Sequence, residues 1–332
     1  MKHMQSRGVV AAIATALSLV ATQAVANEAV MYTSNNVQVM DTATDVAKKI
    51  APNLTIQKVT SGTGALMKRI EAESGKPLGD VVWGAGFGTM VAFKQNFQPY
   101  QSPDMDKILP QFRGPDNLWI GSNAHVMVVM ANESQLKGDA PPAAWKDLFD
   151  PKWKGRIIMG DPATSGSAYD QVYGIYQIYG AEGLDKLAAN AVISRSSGQV
   201  YKSVASGEYP LGITMEYAAY SYIAGGQKGV KIIYPQEGAF VAPEAVAIIK
   251  SPKNGAAAAQ QLYNILISKE VQEAELVQNF RRPTRSDIDV AALTQLPNLS
   301  SIRVVAPDPI KAAADYPVVI EAWKQAVQKA RR

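Results

Sequence analysis

A chain of 332 residues that is 47% apolar has ample material for a core, and its length suggests two domains. Its net charge is only +4, with no basic run of the kind that grips nucleic acid. Cysteine is absent, which removes disulfides, thiolate nucleophiles, cysteine zinc sites and lipid attachment through an N-terminal cysteine.

The first residues read as an export leader. Lys2 and Arg7 precede an apolar run from Val9 to Val20, and Ala24-Val25-Ala26 forms a small-residue cleavage site. Residues 1–26 are therefore expected to be a signal peptide and the mature chain to begin at Asn27. Losing Lys2 and Arg7 with the leader brings the net charge to +2. The run is too short and too broken to span a bilayer, so a soluble periplasmic protein is expected.

Strand and helix patterns then alternate. "AVMYTS" (29–34), "LTIQKVT" (54–60) and "GDVVWGA" (79–85) read as strands; "VQVMDTATDVAKKIA" (37–51), "ALMKRIEAE" (65–73) and "MVAFKQNF" (90–97) read as helices. Such a run implies a mainly parallel sheet with helices on its faces. Ligands of open sheets of this kind lie beyond the carboxyl ends of the strands. The loops Thr33-Ser34-Asn35-Asn36, Ser61-Gly62-Thr63-Gly64 and Trp83-Gly84-Ala85 are therefore candidate contacts. "GAGFG" (84–88) lacks the spacing of a dinucleotide fingerprint and follows the third strand of the run, where that motif belongs to the first.

A long apolar strand, "SNAHVMVVMANES" (122–134), leads into a Pro-rich connection and a second α/β unit. Its parts are "RIIMGDP" (156–162), helical "AYDQVYGIYQIYG" (168–180) and "SGQVYKSVAS" (197–206), then strands "YPLGITM" (209–215) and "VKIIYPQEG" (230–238). A buried strand "EAVAIIK" (244–250) and two helical segments over 256–280 follow. Thr164, Ser165, Gly166 and Ser167 open the helix of this unit. They are helix caps or, with Gly166 letting an anionic group approach the backbone donors, part of a ligand site. "TSGTGALMKRI" (60–70) is a similar junction in the first half, and two such junctions favour the ligand role. Glu216, Tyr217 and Tyr220 in "MEYAAYSY" follow a strand and should emerge at the ligand end of the sheet. Tyr169, Tyr173 and Tyr176 share a helix face and read as packing.

An enzyme has little to work with. His125, the only histidine after the leader, sits in an apolar strand pattern, where a hydrogen-bonded structural role is expected. No G-x-S-x-G elbow or P-loop occurs, and the S-x-x-K at Ser134–Lys137 has no companion motif. Catalytic residues and cofactors are accordingly expected to be none.

Taken together, "MYTSNN", "TSGTGALMKRIEAE", "GDVVWG", "WKDLFDPKWKGRI", "PATSGSAY", "GITMEYAAY" and "YPQEGAFVAPEAVAIIKSPKN" resemble, in kind and order, periplasmic solute-binding proteins of ABC importers. The resemblance covers nearly the whole chain after the leader. It is to the group that holds ferric-iron binders together with binders of 2-aminoethylphosphonate and of sugar phosphates. It implies the two-lobe periplasmic-binding-protein fold (type II), with two crossing strands as hinge near His125–Met130 and Val241–Ile249. Lobe one would comprise residues 27–124 and 245–332, and lobe two residues 125–244. One solute would lie between them, held by Thr33, Ser34, Asn35, Ser61, Gly62, Thr63, Trp83, Thr164, Ser165, Gly166, Ser167, Glu216, Tyr217 and Tyr220. An inner-membrane ABC permease and a small-molecule solute are the implied partners, with no nucleic acid, and a monomer is expected. Iron binders of this group use adjacent tyrosines, where this chain reads Glu216-Tyr217. A phosphonate or sugar phosphate therefore fits better, with Glu216 on an amine or on sugar hydroxyls. The alternative iron set would be Glu216, Tyr217 and Tyr220.

Overall fold

The computed structural model describes residues 27–332, and the expected leader lies outside them. The chain opens as β1 (Asn27–Thr33), α1 (Val37–Ile50), β2 (Leu54–Thr60), α2 (Thr63–Ala72), β3 (Val81–Gly86) and α3 (Phe87–Ala92). A short β4 (Phe97–Gln98) precedes the long β5 (Ile120–Asn132), and β6 (Ile157–Gly160), α4 (Gly166–Asn190), β7 (Ala191–Ser194), α5 (Ser197–Ala205), β8 (Leu211–Met215) and α6 (Glu216–Ala224) follow. The remainder is β9 (Val230–Ile233), β10 (Ala239–Ile249), α7 (Ala256–Leu266), α8 (Lys269–Asn279), α9 (Val290–Leu293), β11 (Val304–Val305) and α10 (Pro309–Ala330).

All eleven strands belong to one mixed sheet whose main path runs β2-β1-β3-β10-β5-β8-β6-β7. β1 to β3 are mutually parallel, and so are β6, β7 and β8. The two sets are joined by the antiparallel pair β5 and β10, which cross the middle of the sheet. Every residue of β5 is buried, as expected of a strand covered on both faces. This is the two-lobe fold with two crossing strands, as expected, although β5 begins before His125 and β10 before Val241.

The register shows where the strand ends meet. Gly86, at the end of β3, pairs with Glu244 of β10, and Met215, at the end of β8, pairs with Met127 of β5. Asn123 pairs with Glu244, His125 with Ala242 and Met127 with Phe240. Both sets of parallel strands therefore end over the same few residues, and the helix starts that follow them face each other there.

Two large apolar clusters flank this line. One gathers Met31, Val39, Ile120, Val126, Leu262 and Ile265 under α1, α7 and α8; the other gathers Met127, Trp145, Trp153, Val172, Leu187 and Ile213 under α4. α10 contributes Val319, Ile320, Trp323 and Ala326 to the second cluster. It runs alongside α4: the Tyr169 hydroxyl donates to the Ala312 carbonyl, and Lys329 pairs with Asp185. The C-terminal helix therefore packs with the 125–244 segment, whereas the resemblance implies a place in the first lobe. Periodicity alone does not say which of two apolar faces an amphipathic helix will cover.

Candidate functional site

Six helices begin at the ends of the parallel strands, and their first turns line a cleft over the crossing pair. The N–H groups of a helix's first turn lack intrahelical partners, so each start needs a cap or a ligand. Asn36 caps α1 by accepting from the Val39 N–H, and Ser165 caps α4 by accepting from the Ala168 N–H. The starts of α2, α3, α5 and α6 have no side-chain cap.

In the second wall the hydroxyls converge. Ser165 Oγ lies 2.6 Å from Ser197 Oγ and 3.1 Å from Ser167 Oγ, which brings the first turns of α4 and α5 together. A Cβ on Gly166 would meet nothing, so that turn is open on its outer side. Arg195, exposed in the turn before α5, has no ion pair among the described residues. Donor hydroxyls, unpaired N–H groups and the positive ends of two helix dipoles are the features that suit an anion, and Arg195 lies two residues before Ser197 in the chain. The sequence points to Thr164 to Ser167, whereas Ser197 reads there as part of an ordinary helix. The available signal was "SSG" (196–198), a third small-residue junction.

In the first wall, Ser61, Gly62 and Gly64 are exposed and Thr63 is partly exposed at the start of α2. The Ser34 hydroxyl is partly exposed and donates to the Gly84 carbonyl at 2.9 Å. Thr33 is fully buried and Asn35 nearly so, with the Thr33 hydroxyl accepting from the Asn35 N–H. These two shape the turn rather than reach the cleft. Thr164 is exposed and spends its hydroxyl on the Asp161 carbonyl.

Three expected contacts are elsewhere. Trp83 is 1% exposed in the core, and its indole N–H donates to Ser122, because the strand's alternation turns it under the sheet. Tyr220 is buried against Leu276, Ile288 and Phe280, with its hydroxyl accepting from the Gln295 N–H. Glu216 is buried and fully engaged: Arg282 donates to it through Nε at 2.5 Å and Nη2 at 2.7 Å, and the Tyr234 hydroxyl donates as well. Its charge is matched within the protein by Arg282, which leaves little field for a solute. The alternative iron set of Glu216, Tyr217 and Tyr220 thus does not converge on one point.

The floor of the cleft was not foreseen. Glu244 accepts from Asn123 Nδ2 at 3.0 Å and faces Arg281 Nη1 at 3.4 Å and His125 Nε2 at 3.5 Å. Arg281 also contacts His125 and lies over the ring of Tyr217, 4.1 Å from its centre. Burial pushes His125 down to about 4, aided by Arg281 and opposed by Glu244, so the imidazole is neutral. Burial holds the Tyr217 phenol above its usual range, although Arg281 acts the other way. Asp170, in the second turn of α4, is raised to about 7 by burial and by the charge of Glu244.

Among the described residues no helix is long and apolar enough to cross a membrane, and no three histidine or acidic side chains cluster as a metal site. A Synechocystis protein named iron uptake protein A1 is 30% identical over 109 residues, which are 32% of this chain and 29% of that protein. A Haemophilus influenzae protein is 26% identical over 235 residues, covering 65% of this chain and 66% of its own length. The chain thus spans less than two thirds of either relative. A putative 2-aminoethylphosphonate-binding periplasmic protein of Salmonella typhi is 24% identical over 263 residues, 72% of each chain. In architecture the chain is similar to the periplasmic binding protein AfuA of Actinobacillus pleuropneumoniae, solved with fructose-6-phosphate. The TM-score is 0.78 at 23% identity, over 91% of this chain and 98% of that one. The family described as bacterial extracellular solute-binding protein matches residues 77–311, most of the chain. With the cleft between two sets of helix starts and periplasmic relatives beside it, the chain belongs to that bacterial extracellular solute-binding family and is a periplasmic protein.

Proposed function

We propose that this protein captures a small organic anion of the phosphonate or phosphate-ester type between two lobes and hands it to an inner-membrane ABC permease. The observation that carries the reading is the Ser165, Ser167 and Ser197 cluster between the first turns of α4 and α5. Its hydroxyls and N–H groups can donate to several oxygens of one tetrahedral anion. The uncapped start of α2 at Gly62 and Thr63 stands on the other wall to close over it. Lobe one would hold β1 to β3 with α7 and α8; lobe two would hold β6 to β8 with α4 and α10. The names of the Salmonella relative and of AfuA with its sugar phosphate support this solute class. Arg281 over the Tyr217 ring argues against a cation seated at that phenol. Capture without turnover fits a floor whose histidine is spent on Arg281 and Glu244.

The test is a thermal-shift and calorimetric panel of phosphonates, sugar phosphates, polyamines, carboxylates and ferric citrate. A true solute at a hundred times its Kd should add about 2.7 kcal/mol of stability. Stabilisation by ferric citrate, with no response to any phosphonate or phosphate ester, would overturn the reading.

A further inference from the structure

Two carboxylates face the cleft floor, and only one has a protein counter-charge. Glu244 is held by Asn123 and Arg281. Asp170 accepts no side-chain hydrogen bond and forms no ion pair among the described residues.

Packing fixes where Asp170 looks. Gly174 lies so close to Phe240 that a Cβ there would fall 2.4 Å from the ring, and Gln171 reaches Met127. This face of α4 therefore covers the sheet face that carries Met127 and Phe240. His125, Asn123, Ala242 and Glu244 continue that face toward the cleft, as the cross-strand pairing requires. Asp170 is one turn before Gly174 on the same helix face, so it stands over the half-exposed stretch Ala242 to Glu244. Beside Glu244, the Oδ1 of Asn123 is buried without a donor. Along α4, Ser167 and Asp170 are three residues apart, about 5–6 Å between their Cβ atoms. An acceptor lacking a donor thus sits one short molecule's length from the anion cluster.

Resting on the anion-capture reading above, we propose that Asp170 is the residue that selects the solute by its amine. It would hold an ammonium two or three bonds from the anionic group bound at Ser165, Ser167 and Ser197. Glu216 cannot play this part, because Arg282 already neutralises it. A carboxylate beside Glu244 and partly shut off from water gains most from a cation that arrives with the solute.

The experiment is calorimetric titration of wild type, Asp170→Asn, Asp170→Glu and Ser197→Ala with two probes of equal shape. These are 2-aminoethylphosphonate and propylphosphonate, in which a methyl replaces the ammonium. Wild type should prefer the amine by at least about thirtyfold, the lower end of the loss on breaking one buried charge pair. Asp170→Asn should remove most of that preference by weakening the amine probe without weakening propylphosphonate, and Asp170→Glu should retain part of it. Ser197→Ala should weaken both probes alike. If wild type binds propylphosphonate as tightly as the amine, or Asp170→Asn weakens both equally, Asp170 does not select and anion capture stands. If wild type binds neither probe, the amine inference fails, while the anion reading is decided separately by the panel of phosphonates and phosphate esters above.

Discussion

The hydroxyl of Ser165 stands 2.6 Å from that of Ser197, although 32 positions of chain separate them. Ser165 also accepts from the Ala168 N–H and so caps α4, whereas Ser197 is inside α5 and caps nothing. The two serines should therefore respond differently to the same truncation. Ser165→Ala should cost about 1 kcal/mol of stability through the lost cap as well as solute affinity. Ser197→Ala should cost affinity with stability nearly unchanged. Paired denaturation curves and titrations check this; equal stability losses in the two variants would mean that the cluster serves packing alone.

Glu216 and Arg282 are both about 2% exposed and joined by two parallel hydrogen bonds. Replacing Glu216 with Gln keeps the shape and leaves a buried guanidinium unpaired. The expected loss is on the order of 3 to 5 kcal/mol of folding stability. Discrimination between amine and non-amine probes should survive in whatever fraction folds. Chemical denaturation measures the first and calorimetry the second. A variant of native stability that has lost only amine-bearing solutes would return the ligand role to Glu216.

Much of this architecture is legible in the sequence because alternation of short apolar strands with helical periods survives without tertiary context. The Ser and Gly junctions at 61–64 and 164–167 are legible for the same local reason. The floor is not. Asn123, His125 and Glu244 meet Arg281 only through the pairing of β5 with β10 and the return of the chain after α8, and no spacing in the sequence encodes those contacts. Glu216 illustrates the complementary limit: a carboxylate after a strand can point at solute or at an arginine 66 residues away, and only packing decides. Trp83 misled because a strand's last residues alternate between cleft and core.

The floor titrates with opposing signs. His125 is depressed to about 4, so the stability contributed by its neutral form is complete above the usual value of 6.5 and is lost as pH falls through 4. Asp170 is raised to about 7, so its contribution is complete below 3.8 and is lost as pH rises through 7. Glu275, raised to about 8 mainly by burial and held partly in check by Arg281, follows Asp170 at higher pH. In the solute-free protein, Asp170→Asn should therefore gain on wild type between pH 4 and pH 8, by on the order of 4 kcal/mol at most. Urea midpoints across that range would show it. A constant difference would mean that Asp170 ionises like an ordinary exposed carboxyl.

Pro243 of β10 pairs with Ala124 of β5 just before the pairing with β3 begins at Glu244, and the register slips on either side of Ala245. Each slip leaves a residue unpaired, so the crossing pair is weakest where the two lobes join. Bending there would carry the α2 start toward the α4 and α5 starts with both apolar clusters left intact, the pattern of hinge closure. A saturating solute should thus reduce the radius of gyration in solution scattering. Ser197→Ala, given enough solute to saturate it, should close to the same radius, because the serine binds solute and takes no part in the bend. Pro243→Val supplies a side chain suited to a strand and restores a backbone donor. It should stiffen the crossing and shift the closing equilibrium, changing affinity without touching a solute contact. A radius that stays constant while calorimetry reports full occupancy would place the flexibility elsewhere and leave β5 and β10 as rigid struts.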